Sequence, residues 1–217
     1  MTGSIDTVLV VIRGNSGAGK STVARRLRDA YGRGCALVEQ DYLRRVVLRE
    51  RDLPGGLAPV LIDRTARVAL DHGYHVILEG ILHTARYAGP LRGLLRDHVG
   101  RNAVFYLDVS LDETLRRHAT RPHDFGPDDL RSWYAEHDVL GVDGEHVLPQ
   151  TLTLEETVDL IARSAGLTLS GRDDDVLPLA SARSDPRRSR TSGPAAPAAG
   201  APAEPSAPRT GGAGATR

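Results

Sequence analysis

The chain has 217 residues, enough for one ordinary domain or for one domain with an appendage. Its formal net charge is zero, so the overall balance gives no indication of a nucleic-acid or membrane partner. The single cysteine, Cys35, lies in an apolar segment and predicts inert packing in a reducing compartment. No secretory leader opens the sequence, and no apolar run approaches the roughly 20 residues of a spanning helix, so we expect a soluble, cytoplasmic protein.

The first half of the chain alternates between apolar, β-branched runs and amphipathic segments. Such runs are typical of strands that are buried on both faces of a parallel sheet. A proline at residue 59 suits the first turn of a helix, and a glycine at residue 73 suits its exit. The pattern predicts strands over 7–12, 35–39 and 75–78, and helices over 20–31, 42–50 and from 59 to about 72.

The same alternation continues in the second half. It predicts a helix over 85–98 and strands over 103–107 and 145–148. Ser110 with Glu113, and Thr153 with Glu156, have the spacing of capping boxes and predict two further helix starts. Repeated strand–helix alternation predicts an α/β fold of three layers, a mostly parallel five-stranded sheet between two layers of helices.

The composition changes near residue 169. Residues 169–217 are rich in Pro, Ala, Gly and Ser and contain little apolar bulk to offset the entropy of ordering. We therefore predict a folded domain over 1–168 and a disordered tail over 169–217. The arginines of the tail could alternatively bind an acidic partner, although aspartates are interspersed among them.

A phosphate-binding loop follows the first predicted strand. The sequence from Gly14 to Ser21 matches G-x-x-x-x-G-K-[ST], and Lys20 is the only lysine in the chain. The glycines let backbone amides surround phosphate oxygens, while the lysine reaches the β- and γ-phosphates and the serine hydroxyl binds Mg²⁺. This predicts a P-loop NTPase fold that binds ATP and Mg²⁺ through Gly14, Asn15, Ser16, Gly17, Ala18, Gly19, Lys20, Ser21 and Thr22.

Acidic residues follow the other predicted strands at the edge where ligands bind in an open parallel sheet. Glu39 and Asp41 follow the second strand, Glu79 follows the third and Asp108 the fourth. Glu79 holds the place of a Walker B carboxylate, which polarises a metal-bound water or faces the substrate. A buried, hydrogen-bonded carboxylate is the alternative interpretation of Glu79, and a turn-favouring residue that of Asp108.

With these residues the chain resembles the adenylate-kinase-like family of small P-loop kinases. That group includes shikimate and gluconate kinases, chloramphenicol phosphotransferases, zeta toxins and the kinase half of polynucleotide kinase. The resemblance implies that Asp41 is the general base and that Arg44 binds substrate, since D-x-x-R is present here. It implies that Glu39 helps to hold Mg²⁺, although shikimate kinases carry Asp there. A helix N-cap is the alternative role for Asp41.

The resemblance also implies a short lid that closes over ATP. Arg116, Arg117 and Arg121 flank the segment in question, and we expect Arg117 and Arg121 to stabilise transition-state charge. These two share one helical face provided that the helix persists to Pro122. Trp133 and Tyr134 are expected to pack in the core or against the lid. His123 is expected to be a surface residue.

These features predict an ATP-dependent, magnesium-dependent kinase that phosphorylates a hydroxyl of a small molecule. A nucleotide switch and a regulatory ATP-binding module are alternatives, although the N-K-x-D guanine-recognition motif is absent from the sequence. A nucleic-acid 5′ end is an alternative acceptor, without the basic groove that it would require. The acceptor pocket is expected to be lined by residues 44–59, including Arg51, Asp52 and the glycines at 55 and 56, with His83 and Arg86.

Overall fold

Five apolar segments form one sheet in the computed structural model, which describes residues 1–119 and 126–170. The strands are β1 (Val8–Gly14), β2 (Cys35–Glu39), β3 (His75–Glu79), β4 (Arg101–Asp108) and β5 (Glu145–Pro149). Their spatial order is β2-β3-β1-β4-β5, and all four adjacent pairs are parallel. The predicted α/β fold with a five-stranded sheet is confirmed. Residues 120–125 of the predicted lid segment, which include Arg121, and the tail from residue 171 lie outside the described residues.

Helices cover both faces of this sheet. They are α1 (Lys20–Tyr31), α2 (Ala58–Asp71), α3 (Thr84–Asp97), α4 (Leu111–His118), α5 (Pro127–Trp133) and α6 (Leu154–Ala165). Pro59 lies in the first turn of α2, and Gly73 follows its end with a positive φ, as predicted. Within the described residues, no helix is both long and apolar enough to span a bilayer.

The central strand β1 divides the core in two. Its Val10 and Ile12 side chains pack with α1 and α6 on one face, and Leu9 and Val11 pack with α2 and α3 on the other. Each of these four side chains is at most 1% exposed, and such burial contributes roughly 1.5–3 kcal/mol per side chain. The strand is thereby fixed on both sides, and it ends directly at the phosphate-binding loop.

The helix predicted over 42–50 is present but shorter than predicted. The chain forms a π-helical turn over Tyr42–Val47, and Arg49 then has a left-handed backbone with φ 51°. Glu50 leaves the helix because its carboxylate accepts hydrogen bonds from the amides of Leu57 and Ala58, at 2.7 and 2.9 Å, and so caps α2. A glutamate eight residues before its partner is not a capping signal that the sequence pattern reveals.

One of the two predicted capping boxes is complete. Thr153 and Glu156 exchange hydrogen bonds at the start of α6, at 3.3 and 2.9 Å. The Ser110 hydroxyl accepts from the Glu113 amide at 3.3 Å, but the Glu113 carboxylate binds arginines instead of returning to Ser110. Charge-assisted bonds to two guanidinium groups are stronger than a bond to one amide, which explains the difference.

Candidate active site

The phosphate-binding loop has a backbone that glycine alone permits at its first position. Gly14 has φ 145°, and a Cβ atom there would lie 2.7 Å from the carbonyl oxygen of Leu107. The loop enters α1 through Gly19, so the first amides of this helix are not occupied by a capping side chain. Free amides and the positive end of the helix dipole make this turn suited to an anion.

Lys20 lies at the first position of α1 and is 7% exposed. Its ammonium group donates a hydrogen bond to the carbonyl oxygen of Asn15 at 2.8 Å, across the loop. Burial lowers the pKa of Lys20, while the nearby carboxylates of Glu79 and Asp41 oppose that shift. The only lysine of the chain is therefore held within the loop, with acidic groups beside it.

Ser21 and Glu79 form the polar contact that joins the loop to the end of β3. The Ser21 hydroxyl donates to Oε1 of Glu79 at 3.0 Å, and Glu79 is 3% exposed. Burial raises the pKa of Glu79, whereas Lys20 and the hydrogen bond from Ser21 lower it. A serine hydroxyl and a carboxylate are oxygen ligands of the kind that Mg²⁺ prefers together with phosphates, so these residues fit a magnesium site.

Glu39 is the register partner of Glu79 on β2, so both side chains project from the same face of the sheet. The Glu39 carboxylate is bound by the guanidinium group of Arg25 on α1, at 2.7 Å. The structure therefore brings Glu39 next to the Ser21–Glu79 pair, and an arginine engages it there.

Asp41 lies directly after β2, with a side chain that is 61% exposed. It makes no side-chain capping hydrogen bond to the following turn, so the alternative role of an N-cap is not observed. Its carboxylate instead accepts from Arg44 Nη2 at 2.9 Å and pairs with Arg45 at 3.4 Å. Arg44 also donates to the carbonyl oxygen of Glu50 at 3.1 Å, which fixes it against the loop that follows.

Three of the residues predicted for the acceptor side, or their neighbours, contact one another around Asp52. Arg86 on α3 binds the Asp52 carboxylate at 2.7 Å, and the Tyr87 hydroxyl donates to the same group at 3.1 Å. Burial, the largest cause, raises the pKa of Tyr87 to about 12, so this tyrosine is protonated at neutral pH. Asp52 therefore joins the loop over residues 48–57 to α3.

Arg117 lies over the phosphate-binding loop from α4. Its Nη1 donates to the carbonyl oxygen of Ala18 at 3.3 Å, and its Nε donates to Glu113 at 2.6 Å. Hydrogen bonds from Arg116 and Arg117 hold the pKa of Glu113 at about 2. The helix ends at His118, so the condition under which Arg117 and Arg121 would share a helical face is not met, and Arg121 lies outside the described residues.

A cleft of about 460 Å³ opens beside the loop. Its walls come from the phosphate-binding loop, from Arg117 and His118 on α4, and from the segment that follows β5. Pro149 at the end of β5 lines the cleft together with Gln150 and Leu152 of that segment, and the sequence analysis assigned none of the three a role.

The sequence profile of the AAA domain family matches residues 9–133, more than half of the chain. The chain belongs to this family. The match begins in β1 and extends through the phosphate-binding loop, Asp41, Glu79 and α4 to the end of α5. A comparison with curated proteins gives no match.

This AAA domain has the fold of several small P-loop kinases of known structure. The APS kinase of Mycobacterium tuberculosis, solved with AMPPNP and APS, is 19% identical with a TM-score of 0.56, covering 74% of this chain and 98% of that one. A gluconokinase from Sinorhizobium meliloti 1021 is 18% identical with a TM-score of 0.56, covering 75% and 95%. A sugar kinase from Janibacter sp. HTCC2649 is 22% identical, also with a TM-score of 0.56, covering 74% and 95%. The predicted resemblance to small P-loop kinases is thus confirmed at the level of the fold.

Two polar contacts beside the phosphate-binding loop of this AAA domain were not predicted from the sequence. Arg13 is fully buried at the end of β1, and Asn15 binds the backbone of Ala135 through both ends of its amide, at 2.9 and 3.0 Å. An arginine within an otherwise apolar strand was a visible signal for the first. Nothing in the sequence indicates the partner of Asn15, which lies 120 residues away.

The remaining predictions concern packing. Burial raises the pKa of the Cys35 thiol to about 12, a direction that disfavours the reactive thiolate. The Tyr134 hydroxyl donates to the carbonyl oxygen of Val109 at 3.2 Å, whereas Trp133 is 41% exposed. At the end of β4, the Asp108 carboxylate lies 3.8 Å from Nδ1 of His137.

Proposed function

We propose that this protein is an ATP-dependent kinase that transfers the γ-phosphate to a hydroxyl group of a small molecule. One observation carries the proposal. A phosphate-binding loop with its lysine, the Ser21–Glu79 pair and the exposed carboxylate of Asp41 all lie at the carboxyl edge of the sheet. Phosphoryl transfer requires these three elements close together, because its catalysis consists mainly of positioning and charge stabilisation.

The nucleotide would bind with its phosphates in the loop and its base in the 460 Å³ cleft between α4 and the segment after β5. Amides from Gly14 to Thr22 would donate to phosphate oxygens. The Lys20 ammonium would exchange the Asn15 carbonyl for the β- and γ-phosphates. Arg117 already lies over the loop, and with Arg121 it would stabilise charge as the phosphoryl group moves.

Ser21 and Glu79 would hold Mg²⁺, with Glu39 beside them. The ion, when bound, neutralises phosphate charge. In the chemical step, Asp41 would orient the acceptor hydroxyl and accept its proton. The hydroxyl oxygen forms a bond to the γ-phosphorus, the bond to the β-phosphate oxygen breaks, and ADP leaves. Arg44 would bind the acceptor close to Asp41.

Two features bear on the acceptor and on the compartment. The acceptor side would be formed by the loops around Asp41 and Asp52 and by Arg86 on α3, where arginines pair with carboxylates. Such a charge-balanced surface favours a small molecule over the extended phosphate backbone of a nucleic acid. The lone Cys35 favours a reducing compartment, and we place the protein in the cytoplasm.

A metabolite screen with γ-labelled ATP tests the proposal. Fractionated small-molecule extracts and a 5′-hydroxyl oligonucleotide are incubated with the protein, Mg²⁺ and labelled ATP, and the Lys20→Met variant serves as control. Label in a small molecule, dependent on Lys20, is the expected result. Label only in free phosphate would indicate a nucleotide switch, label in the oligonucleotide would indicate the alternative acceptor, and no release at all would indicate a binding module.

A further inference from the structure

Arg13 is a charged residue in the most buried strand of the protein. It is 0% exposed and directly precedes Gly14 of the phosphate-binding loop. Burying a guanidinium group is costly unless every donor has a partner. A buried ion pair often contributes no more stability than well-packed apolar residues would, so its presence here calls for a role beyond stability.

The partners of Arg13 come from segments that surround the candidate active site. Its Nε and Nη2 donate to the carbonyl oxygen of Leu82, at 3.3 and 3.1 Å. Its Nη2 also binds Asp138 at 3.2 Å, and its Nη1 binds Glu145 at 3.4 Å. One side chain thereby joins the base of the phosphate-binding loop to the turn after β3 and to the connection before β5.

Leu82 has a backbone conformation that a large side chain rarely adopts. Its φ is 45°, in the left-handed region, although the side chain is fully buried. Such a conformation persists where the surroundings hold it in place. Two groups do so here, since the Leu82 carbonyl accepts from Arg13 and the Leu82 amide donates to Gln40 Oε1 at 2.9 Å.

This turn connects two residues of the proposed mechanism. Leu82 follows Glu79 by three residues, and Gln40 directly precedes Asp41. Gly80 has no space for a side chain, because the Gln40 side chain occupies the position of its Cβ atom. A displacement of the turn would therefore shift Glu79 on one side and the Gln40–Asp41 segment on the other.

Asp138 and Glu145, the two carboxylates that bind Arg13, are also held by other groups. Asp138 accepts from the backbone amide of Thr84 at 3.0 Å and from the Thr84 hydroxyl, so it also holds the start of α3. Glu145 accepts from the amides of Leu140 and Gly141 at 2.9 and 2.7 Å. These bonds satisfy both carboxylates and leave Arg13 as the element that joins them to Leu82.

We propose that Arg13 is a positioning residue that holds the turn at residues 80–84 against the phosphate-binding loop and thereby aligns Glu79 and Asp41 with the phosphates. The inference rests on the proposed function for its effect on turnover. Its effect on the turn itself is independent of that function. The Arg13 side chain binds Leu82, Asp138 and Glu145, and it acts on Glu79 and Asp41 indirectly, through the turn that Leu82 and Gln40 share.

The test compares Arg13→Met, Arg13→Lys and wild-type protein. Methionine keeps most of the length and removes the donors, so the amides of residues 82–84 should exchange with deuterium at least about tenfold faster. We expect the affinity for Mg-ATP to change by less than about threefold. Turnover should fall by about 10- to 100-fold with little change in the KM for ATP. Lysine can reach some of the three acceptors and should restore part of both losses.

Two further variants keep the test decisive. Gln40→Leu removes the acceptor of the Leu82 amide and leaves the ion pairs of Arg13 with Asp138 and Glu145 in place. If Arg13→Met does not fold, Gln40→Leu should speed deuterium exchange at the amides of residues 82–84. Arg67→Met removes an arginine that is bound by Asp63 and Asp97, remote from the site, and should leave turnover unchanged. Wild-type exchange at residues 82–84 in folded Arg13→Met, or in folded Gln40→Leu if Arg13→Met does not fold, would overturn the inference, as would wild-type turnover in Arg13→Met. If the wild-type protein phosphorylates no acceptor, the proposed function fails, while the exchange measurement still decides whether Arg13 holds the turn.

Discussion

The hydroxyl of Ser21, in the phosphate-binding loop, donates a hydrogen bond to Oε1 of Glu79 at the end of β3, across 3.0 Å. The two residues are 58 positions apart in the sequence, and the parallel pairing of β1 with β3 brings them together. They are the oxygen ligands around which the proposed magnesium site is built.

The first prediction concerns the pH dependence of nucleotide binding through Glu79. Burial raises its pKa above the ordinary value of 4.5, and Mg²⁺ binds the ionised carboxylate. The affinity for Mg-ATP should therefore fall as the pH is lowered through this raised pKa, and the fall should begin above pH 4.5. Glu79→Gln should weaken binding by about 10- to 100-fold and abolish this pH dependence.

Titrations of Mg-ATP across a pH series check this prediction. Glu155→Gln, which removes an exposed glutamate paired with Arg26, is the control and should keep the wild-type pH dependence. Glu39→Gln should have a smaller effect than Glu79→Gln, because Arg25 already engages that carboxylate. A Glu79→Gln variant that binds Mg-ATP as the wild type does would remove Glu79 from the metal site.

The second prediction concerns Asp41 as the general base. Asp41→Asn should lower phosphoryl transfer by about 10²- to 10⁴-fold, because the amide cannot accept the proton of the acceptor hydroxyl. Mg-ATP binding and the free energy of unfolding should change little, since the side chain makes no capping bond. Single-turnover assays and denaturant unfolding measure both quantities, with Asp63→Asn on α2 as control. Wild-type turnover in Asp41→Asn would exclude the catalytic role.

The third prediction separates two neighbouring arginines. Arg116 and Arg117 both bind Glu113, but Arg117 alone of the pair reaches the loop, through the Ala18 carbonyl at 3.3 Å. Arg117→Gln should lower kcat by about 100-fold, because one charged donor to the moving phosphoryl group is lost. Arg116→Gln should change kcat by less than about twofold, since its pair with Glu113 is exposed. Equal losses in both variants would show that the helix as a whole, rather than Arg117, matters.

The fourth prediction concerns stability and is independent of function. Thr153→Ala removes the hydroxyl that accepts from the Glu156 amide at the start of α6. The free energy of unfolding should fall by about 1 kcal/mol, as measured by urea denaturation. Thr151→Ala, an exposed position two residues earlier, should change it by less than about 0.5 kcal/mol. A fall of equal size in both variants would contradict the capping assignment.

Strand positions and the phosphate-binding loop could be predicted from the sequence because both follow from local rules. The apolar run before Gly14 and the spacing of its glycines require no knowledge of distant residues. Because β2 and β3 are neighbours in the sheet, Glu39 and Glu79 are register partners. The rule that ligands bind at the carboxyl ends of parallel strands had predicted that acidic residues would lie at this edge.

The parts that failed depend on contacts between distant residues. The helix predicted over 42–50 ends at Val47, because the Glu50 carboxylate caps α2 and the Glu50 carbonyl oxygen accepts a hydrogen bond from Arg44. Gln150 lines the cleft because Ser110, 40 residues earlier, binds its side chain. Such partners are chosen by tertiary packing, and no periodicity or spacing in the sequence encodes them.

Binding of Mg-ATP by the phosphate-binding loop is the claim on which the account depends, and isothermal titration calorimetry tests it directly. We expect one molecule of Mg-ATP to bind each wild-type chain with measurable heat. Lys20→Met should weaken the binding by about 100-fold, since the buried ammonium would no longer meet the phosphates. Arg28→Met, which removes an arginine that is paired with Asp29 on the same helix, should bind normally. No heat with the wild-type protein, or equal affinity in Lys20→Met, would contradict the account.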